Sequence, residues 1–198
     1  MENKYELTDE TMEIEGKTLH RIRALRDFGG IKADDLGGLI EHEGNLSHEG
    51  NCWIWYKACV FGDACVYGRA EVYGYARVSD KAEVYGTAKV KDGDVCDSAR
   101  IYGDAKIYDH AHVYGEACIS HNAEIYGYAK VFGDALVFGN AHVHGRAKVY
   151  NDARVYDEAR VYDNAEIYGE AKVYGDAKVY RSAHVDDYNA ISTGEKTR

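Results

Sequence analysis

Ala58-Cys59-Val60-Phe61-Gly62-Asp63, Ala64-Cys65-Val66-Tyr67-Gly68-Arg69 and Ala70-Glu71-Val72-Tyr73-Gly74-Tyr75 are one six-residue pattern written three times. The pattern continues to Ala183-His184-Val185-Asp186-Asp187-Tyr188, over about 22 units, with Ala first in every unit except at Gly93 and Val or Ile always third. Repetition at a fixed period outranks any window-based assignment. The first and third positions lie two residues apart, so in an extended segment they share one side while the second and fourth share the other. Ala and Val therefore face a narrow interior. The fifth position is usually Gly and otherwise mostly Asp or Asn, residues that accept left-handed or turn backbone. Each hexad reads as a short strand followed by a corner.

A hexad is too short to bury its own apolar side, so it must stack on copies of itself, and stacking gives a solenoid whose backbone pairs with the coils above and below. The ladder is predicted to begin at Leu46 and Cys52-Trp53-Ile54 and to run through Asn189-Ala190-Ile191. That is about eight coils, a rod ~38 Å long at ~4.8 Å per coil. One unit, Ala88-Lys89-Val90-Lys91-Asp92, has lost a corner residue without shifting the interior pattern. Residues 1–40 do not repeat. Within them, Met12 to Leu25 alternates on either side of Glu15-Gly16-Lys17, the pattern of a β-hairpin, which would hide the edge of the first coil. The predicted organisation is a capping module over 1–40, a hexapeptide-repeat β-helix over 41–191 and a flexible tail over 192–198.

The hexads closely resemble the hexapeptide-repeat left-handed parallel β-helix, in which three hexads, about 18 residues, make one triangular coil. The resemblance implies an all-β fold, and the left hand is taken from it, since general crossover statistics favour the right. Asp27-Phe28-Gly29-Gly30-Ile31, Gly37-Gly38-Leu39-Ile40 and Asn45 to Ile54 resemble the leading segment of uncharacterised bacterial and prophage hexapeptide-repeat proteins, some of which carry acetyltransferase names. That resemblance spans nearly the whole chain and implies a fold rather than an activity.

Composition narrows the function classes. A formal net charge of −10 argues against direct binding to nucleic-acid phosphates, which draws on clustered Lys and Arg. It suits cationic partners, including proteins that themselves bind nucleic acid. No run approaches the ~20 apolar residues of a membrane span and no secretory leader is evident, so no membrane partner and a cytoplasmic location are expected, in the host cytoplasm if the chain is phage-encoded. Cys52, Cys59, Cys65, Cys96 and Cys118 have no paired spacing and read as reduced thiols. Pro is absent, and Tyr occurs 18 times against four Phe, because the repeat puts Tyr at its fourth position.

Residues one coil apart should form columns. Fourth-position rings would make aromatic ladders, including Tyr114, Tyr150 and Tyr168; such stacks stabilise parallel solenoids and also offer flat adhesive faces. One corner column, Glu116, Asp134, Asp152 and Glu170, is acidic throughout, with Asp63 further up. A second corner, with Asp104, Glu158 and Asp176, is partly acidic, and the third, with Tyr75, His110, Tyr128, Arg146 and Asn164, is not. Like charges in a column repel, so the column hints at a use, although acidic corners also keep a solenoid soluble. These seven residues, Glu116, Asp134, Asp152, Glu170, Tyr114, Tyr150 and Tyr168, are the expected partner-binding set.

Catalysis is the weaker expectation. The repeats contain no insertion to wall a pocket; His142 and His144, two apart and beside Glu124 by stacking, are the best candidates for a general base, with His112 on another face. No cofactor and no metal site is expected, with Asp152 and Glu170 the one speculative pair for calcium. The favoured reading is a non-catalytic binding protein, phage- or prophage-encoded, whose Tyr-lined faces and acidic edge block a cationic host defence protein in the manner of an anti-CRISPR. Alternatives are an acyl-CoA-dependent O- or N-acyltransferase acting as a trimer, and an oligomeric nucleotide sponge. A homodimer through the uncapped C-terminal coil is a further expectation.

Overall fold

A computed structural model describes residues 3–197. Two-residue strands, one per hexad, assemble into three parallel sheets wound around one core. The hairpin face carries Cys59–Val60, Arg77–Val78, Asp94–Val95 and their successors to His184–Val185. A corner leads to the cysteine face, Cys65–Val66 to Ala190–Ile191, and a second corner leads to the tryptophan face, Trp53–Ile54 to Glu195–Lys196. A third corner returns the chain to the hairpin face. Strands pair with copies one coil away, as His112 does with Lys130 and Lys148 with Glu166.

Hexads donate two backbone hydrogen bonds from the strand to the next coil, and many add a third from the corner. His112 N–H reaches Ala129 O at 3.0 Å, Tyr114 N–H reaches Val131 O at 3.0 Å, and Glu116 N–H reaches Gly133 O at 2.9 Å, so the corners are bonded as well as the strands. Inside, the first- and third-position side chains from Ala58 to Val185 are 0 % exposed. Fully burying each Val or Ile contributes roughly 1.5–3 kcal/mol, and the interior is too narrow for anything larger. The fifth position takes positive φ in every hexad from Gly62 to Asp187, whether Gly133 (φ 70), Asn151 (φ 58) or Asp157 (φ 59). The alternation of Gly with Asp and Asn there follows from that one conformation.

The N-terminal module is the expected hairpin, though longer. β1 (Tyr5–Ile14) and β2 (Lys17–Ala24) are antiparallel around Glu15 (φ 54) and Gly16 (φ 77). β3 (Leu36–Ile40) pairs antiparallel with β2 on one side and parallel with Cys59–Val60 on the other, splicing hairpin to solenoid. Tyr5 closes the top of the core, its hydroxyl donating to Leu46 O at 2.7 Å.

Coils number about nine rather than the eight expected: β3 starts the hairpin face, and Glu195–Lys196 pairs with Lys178–Val179 at the far end of the tryptophan face. Neither end shows the Ala-x-Val signature. At Gly38 a Cβ would fall 2.4 Å from Ile54 Cγ2 and 2.5 Å from Ala58 O, so the first-position Ala of later coils has no room there. The exception at Gly93 has a similar cause. With a corner residue deleted, the backbone is drawn inward until a Cβ would lie 3.0 Å from both Ala111 O and Ile107 Cγ2. No helix among the described residues is long and apolar enough to cross a membrane. All five cysteines carry free thiols.

Candidate partner-binding edge

The corner between the hairpin and cysteine faces gathers Glu116, Asp134, Asp152 and Glu170 on successive coils, each exposed. Asp134, Asp152 and Glu170 line one shallow hollow with Asp187 and Tyr188. The structure extends this column beyond the sequence reading, which counted only sixth positions. At the same corner Asp80, Asp97 and Asp187 occupy the fifth position, and Asp63 the sixth. Eight consecutive coils thus each present one exposed carboxylate along a single edge: Asp63, Asp80, Asp97, Glu116, Asp134, Asp152, Glu170 and Asp187, interrupted in sign only by Lys81. Two upper members also brace the corner. Asp97 Oδ2 accepts from Gly115 N–H at 2.9 Å, and Asp80 Oδ2 accepts from Asp97 N–H at 3.4 Å.

Alongside this edge, one residue before each fifth position, runs a ring stack. Tyr114 and Phe132 have centroids 4.8 Å apart, Phe132 and Tyr150 4.9 Å, and Tyr150 and Tyr168 5.2 Å, with interplanar angles of 1°, 1° and 14°. Tyr114, Tyr150 and Tyr168 therefore form one strip with Glu116, Asp152 and Glu170. A comparable stack, Tyr108–Tyr126–His144–Tyr162–Tyr180, follows the tryptophan face, and Tyr67–Tyr85–Tyr102 follows the cysteine face. Stacking is thus a property of every face; what singles out the first strip is its charge.

Three carboxylates on the faces, Glu124, Glu166 and Glu195, are each paired with a Lys and a Tyr of the coil above. Glu124 accepts from Lys106 Nζ at 2.8 Å and from Tyr108 at 3.0 Å; Glu166 accepts from Lys148 Nζ at 2.8 Å and from Tyr150 at 3.4 Å; Glu195 repeats the arrangement with Lys178 and Tyr180. Partial burial works to raise the Glu124 carboxyl, yet the bonds from Lys106 and Tyr108 hold it below its ordinary value. For Glu166 the Lys148 hydrogen bond is the largest influence and again lowers it. By contrast, none of the eight edge carboxylates has a basic group within ion-pair distance among the described residues.

His142 and His144 do not converge on a sheltered site. His142 Nδ1 lies 3.7 Å from Glu124 Oε2, whose other contacts are Lys106 and Tyr108. His144 is a rung of the ring stack, 4.6 Å from Tyr126 and 5.0 Å from Tyr162. Burial pushes its imidazole below the ordinary value, and the neighbouring His142 adds to this. Asp80, Cys96 and Asp97 bring three potential ligand atoms within 4.8 Å of one another. Burial, together with Asp97 and Asp80, pushes the Cys96 thiol up to about 11.

Three parallel sheets, Ala and Val interior columns and left-handed corner residues define a parallel β-solenoid repeat protein. In agreement, the family described as the YdcK beta solenoid repeat matches residues 129–145, about one coil. No curated protein matches the chain.

Proposed function

We propose that the protein is a non-catalytic binding protein whose acidic edge, with the adjoining Tyr114–Phe132–Tyr150–Tyr168 stack, occupies a cationic groove on a partner protein. The observation that carries this reading is the row of one carboxylate per coil over eight coils, none within ion-pair distance of a cation among the described residues, in a chain where Glu124 and Glu166 on the faces are paired with Lys. Coil spacing sets the pitch. Adjacent rings stand 4.8–5.2 Å apart beside the edge, so the row spans roughly 34 Å. A single DNA strand places one charge per ~3.4 Å of axis, about ten over that length. The edge therefore offers somewhat less charge than one strand, on a rod whose spacing is fixed by backbone hydrogen bonds.

That comparable linear charge favours a groove built for nucleic acid, and a nucleic-acid-binding defence protein of a phage host is the finer form of the proposal. Aromatic rings beside the carboxylates supply what charge alone lacks, since Tyr anchors commonly dominate interface energetics. The test is affinity capture from a host lysate with the wild-type chain and with Asp134→Ser/Asp152→Ser/Glu170→Ser. The proposal expects a basic protein retained by the wild type, displaced by duplex DNA and by rising salt, and not retained by the variant. Retention that the variant preserves, or that DNA does not compete, refutes it.

A further inference from the structure

The smooth solenoid acquires a wall at one place. The turn Phe28-Gly29-Gly30-Ile31 stands beside the first coils, closed by Phe28 N–H to Ile31 O at 3.1 Å and Ile31 N–H to Phe28 O at 2.8 Å. Asp27 braces it, accepting from Ala33 N–H at 2.9 Å and from Lys32 Nζ at 2.8 Å, and Phe28 packs edge-on against Trp53 with centroids 5.4 Å apart. Between this turn and the tryptophan face lies a hollow of about 320 Å³. Its size is at the lower end for small-ligand pockets.

The lining departs from the repeat in chemistry. Where later coils of this face carry charged residues or His at the second position and mostly Tyr at the fourth, this coil carries Trp53, buried, and Trp55, 41 % exposed. Ile31 completes an apolar wall. Arg69 from the adjoining corner and Lys89 from two coils below border the same hollow, with Asn51 and Glu71. Arg69 has no carboxylate within ion-pair distance among the described residues, and Lys89 reaches Glu71 only at 3.6 Å. Two cations thus face one carboxylate in a chain of net charge −10, beside an open indole.

The geometry points to a binding site for a nucleoside monophosphate, its base stacked on Trp55 and its phosphate held by Arg69 and Lys89. Indole faces accept planar rings, and guanidinium with ammonium suits a phosphate dianion. Asn51 can donate to and accept from a base edge. This site lies on the tryptophan face where it meets the corner from the cysteine face, away from the acidic edge, so it does not depend on the proposed function.

Both tryptophans of the chain line this hollow, which makes their fluorescence a local reporter. The test titrates the full chain with AMP, and in separate arms with inorganic phosphate and with adenosine, by fluorescence and by calorimetry. A saturable change with AMP is expected, weakened at least tenfold in Arg69→Ala and in Lys89→Ala and unchanged in Arg154→Ala on the cysteine face, with melting curves establishing that each variant is folded. Absence of saturable AMP binding overturns the inference. So does binding of phosphate alone or adenosine alone as tight as that of AMP, or AMP binding unaffected in both folded variants.

Discussion

Neutralising the middle of the acidic edge should stabilise the protein. In Asp134→Asn/Asp152→Asn/Glu170→Gln, four adjacent like-charge pairs vanish along the column from Glu116 to Asp187. These three carboxylates accept no hydrogen bond among the described residues, so the substitutions remove repulsion and little else. Two unit charges about 5 Å apart in water repel by about 0.8 kcal/mol, and a Debye length of ~8 Å at physiological salt roughly halves that. Four pairs then amount to roughly 1.5–2 kcal/mol at 0.15 M salt and nearer 3 kcal/mol at 0.01 M. For a chain of this size the physiological-salt figure corresponds to about 3–8 °C in melting temperature. Thermal melts followed by circular dichroism at low salt, physiological salt and ~1 M salt would show a gain that shrinks as salt rises, because the Debye length falls to ~3 Å. A variant melting at or below the wild type at 0.01 M salt would refute the repulsion argument, and with it the claim that the edge is kept at the expense of stability.

Three further outcomes follow from the same geometry. Gly93→Ala should cost about 1–3 kcal/mol by denaturant titration, since its Cβ would press on Ala111 O and Ile107 at 3.0 Å where neighbouring coils leave no slack. His144→Tyr should keep the ring stack yet flatten the acid side of the stability profile. Burial lowers the folded pKa of His144, so its contribution is full above the unfolded value of ~6.5 and declines as pH falls below it, and the unfolding free energy at pH 5.5 relative to 7.5 reads the difference. Glu166 has the opposite chemistry but the same sign. Its carboxyl is lowered chiefly by Lys148, so its stabilisation is present above ~4.3 and lost as pH falls through the folded value, and Lys148→Met should blunt that acid transition without altering stability at pH 7 by more than ~1 kcal/mol.

The solenoid was legible because its determinants are local and repeated. Ala at the first position, Val or Ile at the third and a left-handed residue at the fifth state the interior, the strand and the corner within six residues. The ends were less legible because they obey different constraints. Gly38 abandons the signature under pressure from Ile54 and Ala58 O, and Glu195–Lys196 pairs through its backbone with no interior Val to announce it. The column from Glu116 to Glu170 was also readable, from spacing alone. Asp80, Asp97 and Asp187 were not, because they occupy the fifth position, where Asp is already explained by positive φ. The hollow beside Trp55 was missed for another reason: its wall comes from the non-repeating turn at Gly29–Gly30, whose position against the coils no periodicity encodes.

The distribution of charge separates what folds the chain from what it displays. On the faces, a carboxylate one coil away from Lys and Tyr is drawn into the stack, as at Lys106–Glu124–Tyr108 and Lys148–Glu166–Tyr150, and is unavailable to a partner without breaking those bonds. At a corner the side chain projects outward from a tight turn, and its neighbours above and below are the same corner in other coils. A corner can therefore be neutralised only by alternating sign along its own column. Lys57, Arg146 and Arg181 are scattered along the corner between the tryptophan and hairpin faces, whereas the acidic edge holds Lys81 alone. Because the backbone fixes the rise per coil, sequence can choose only which coils carry charge. Here all eight from Asp63 to Asp187 do, with the acid shifting between fifth and sixth positions while staying on one edge, even across the coil shortened at Asp92.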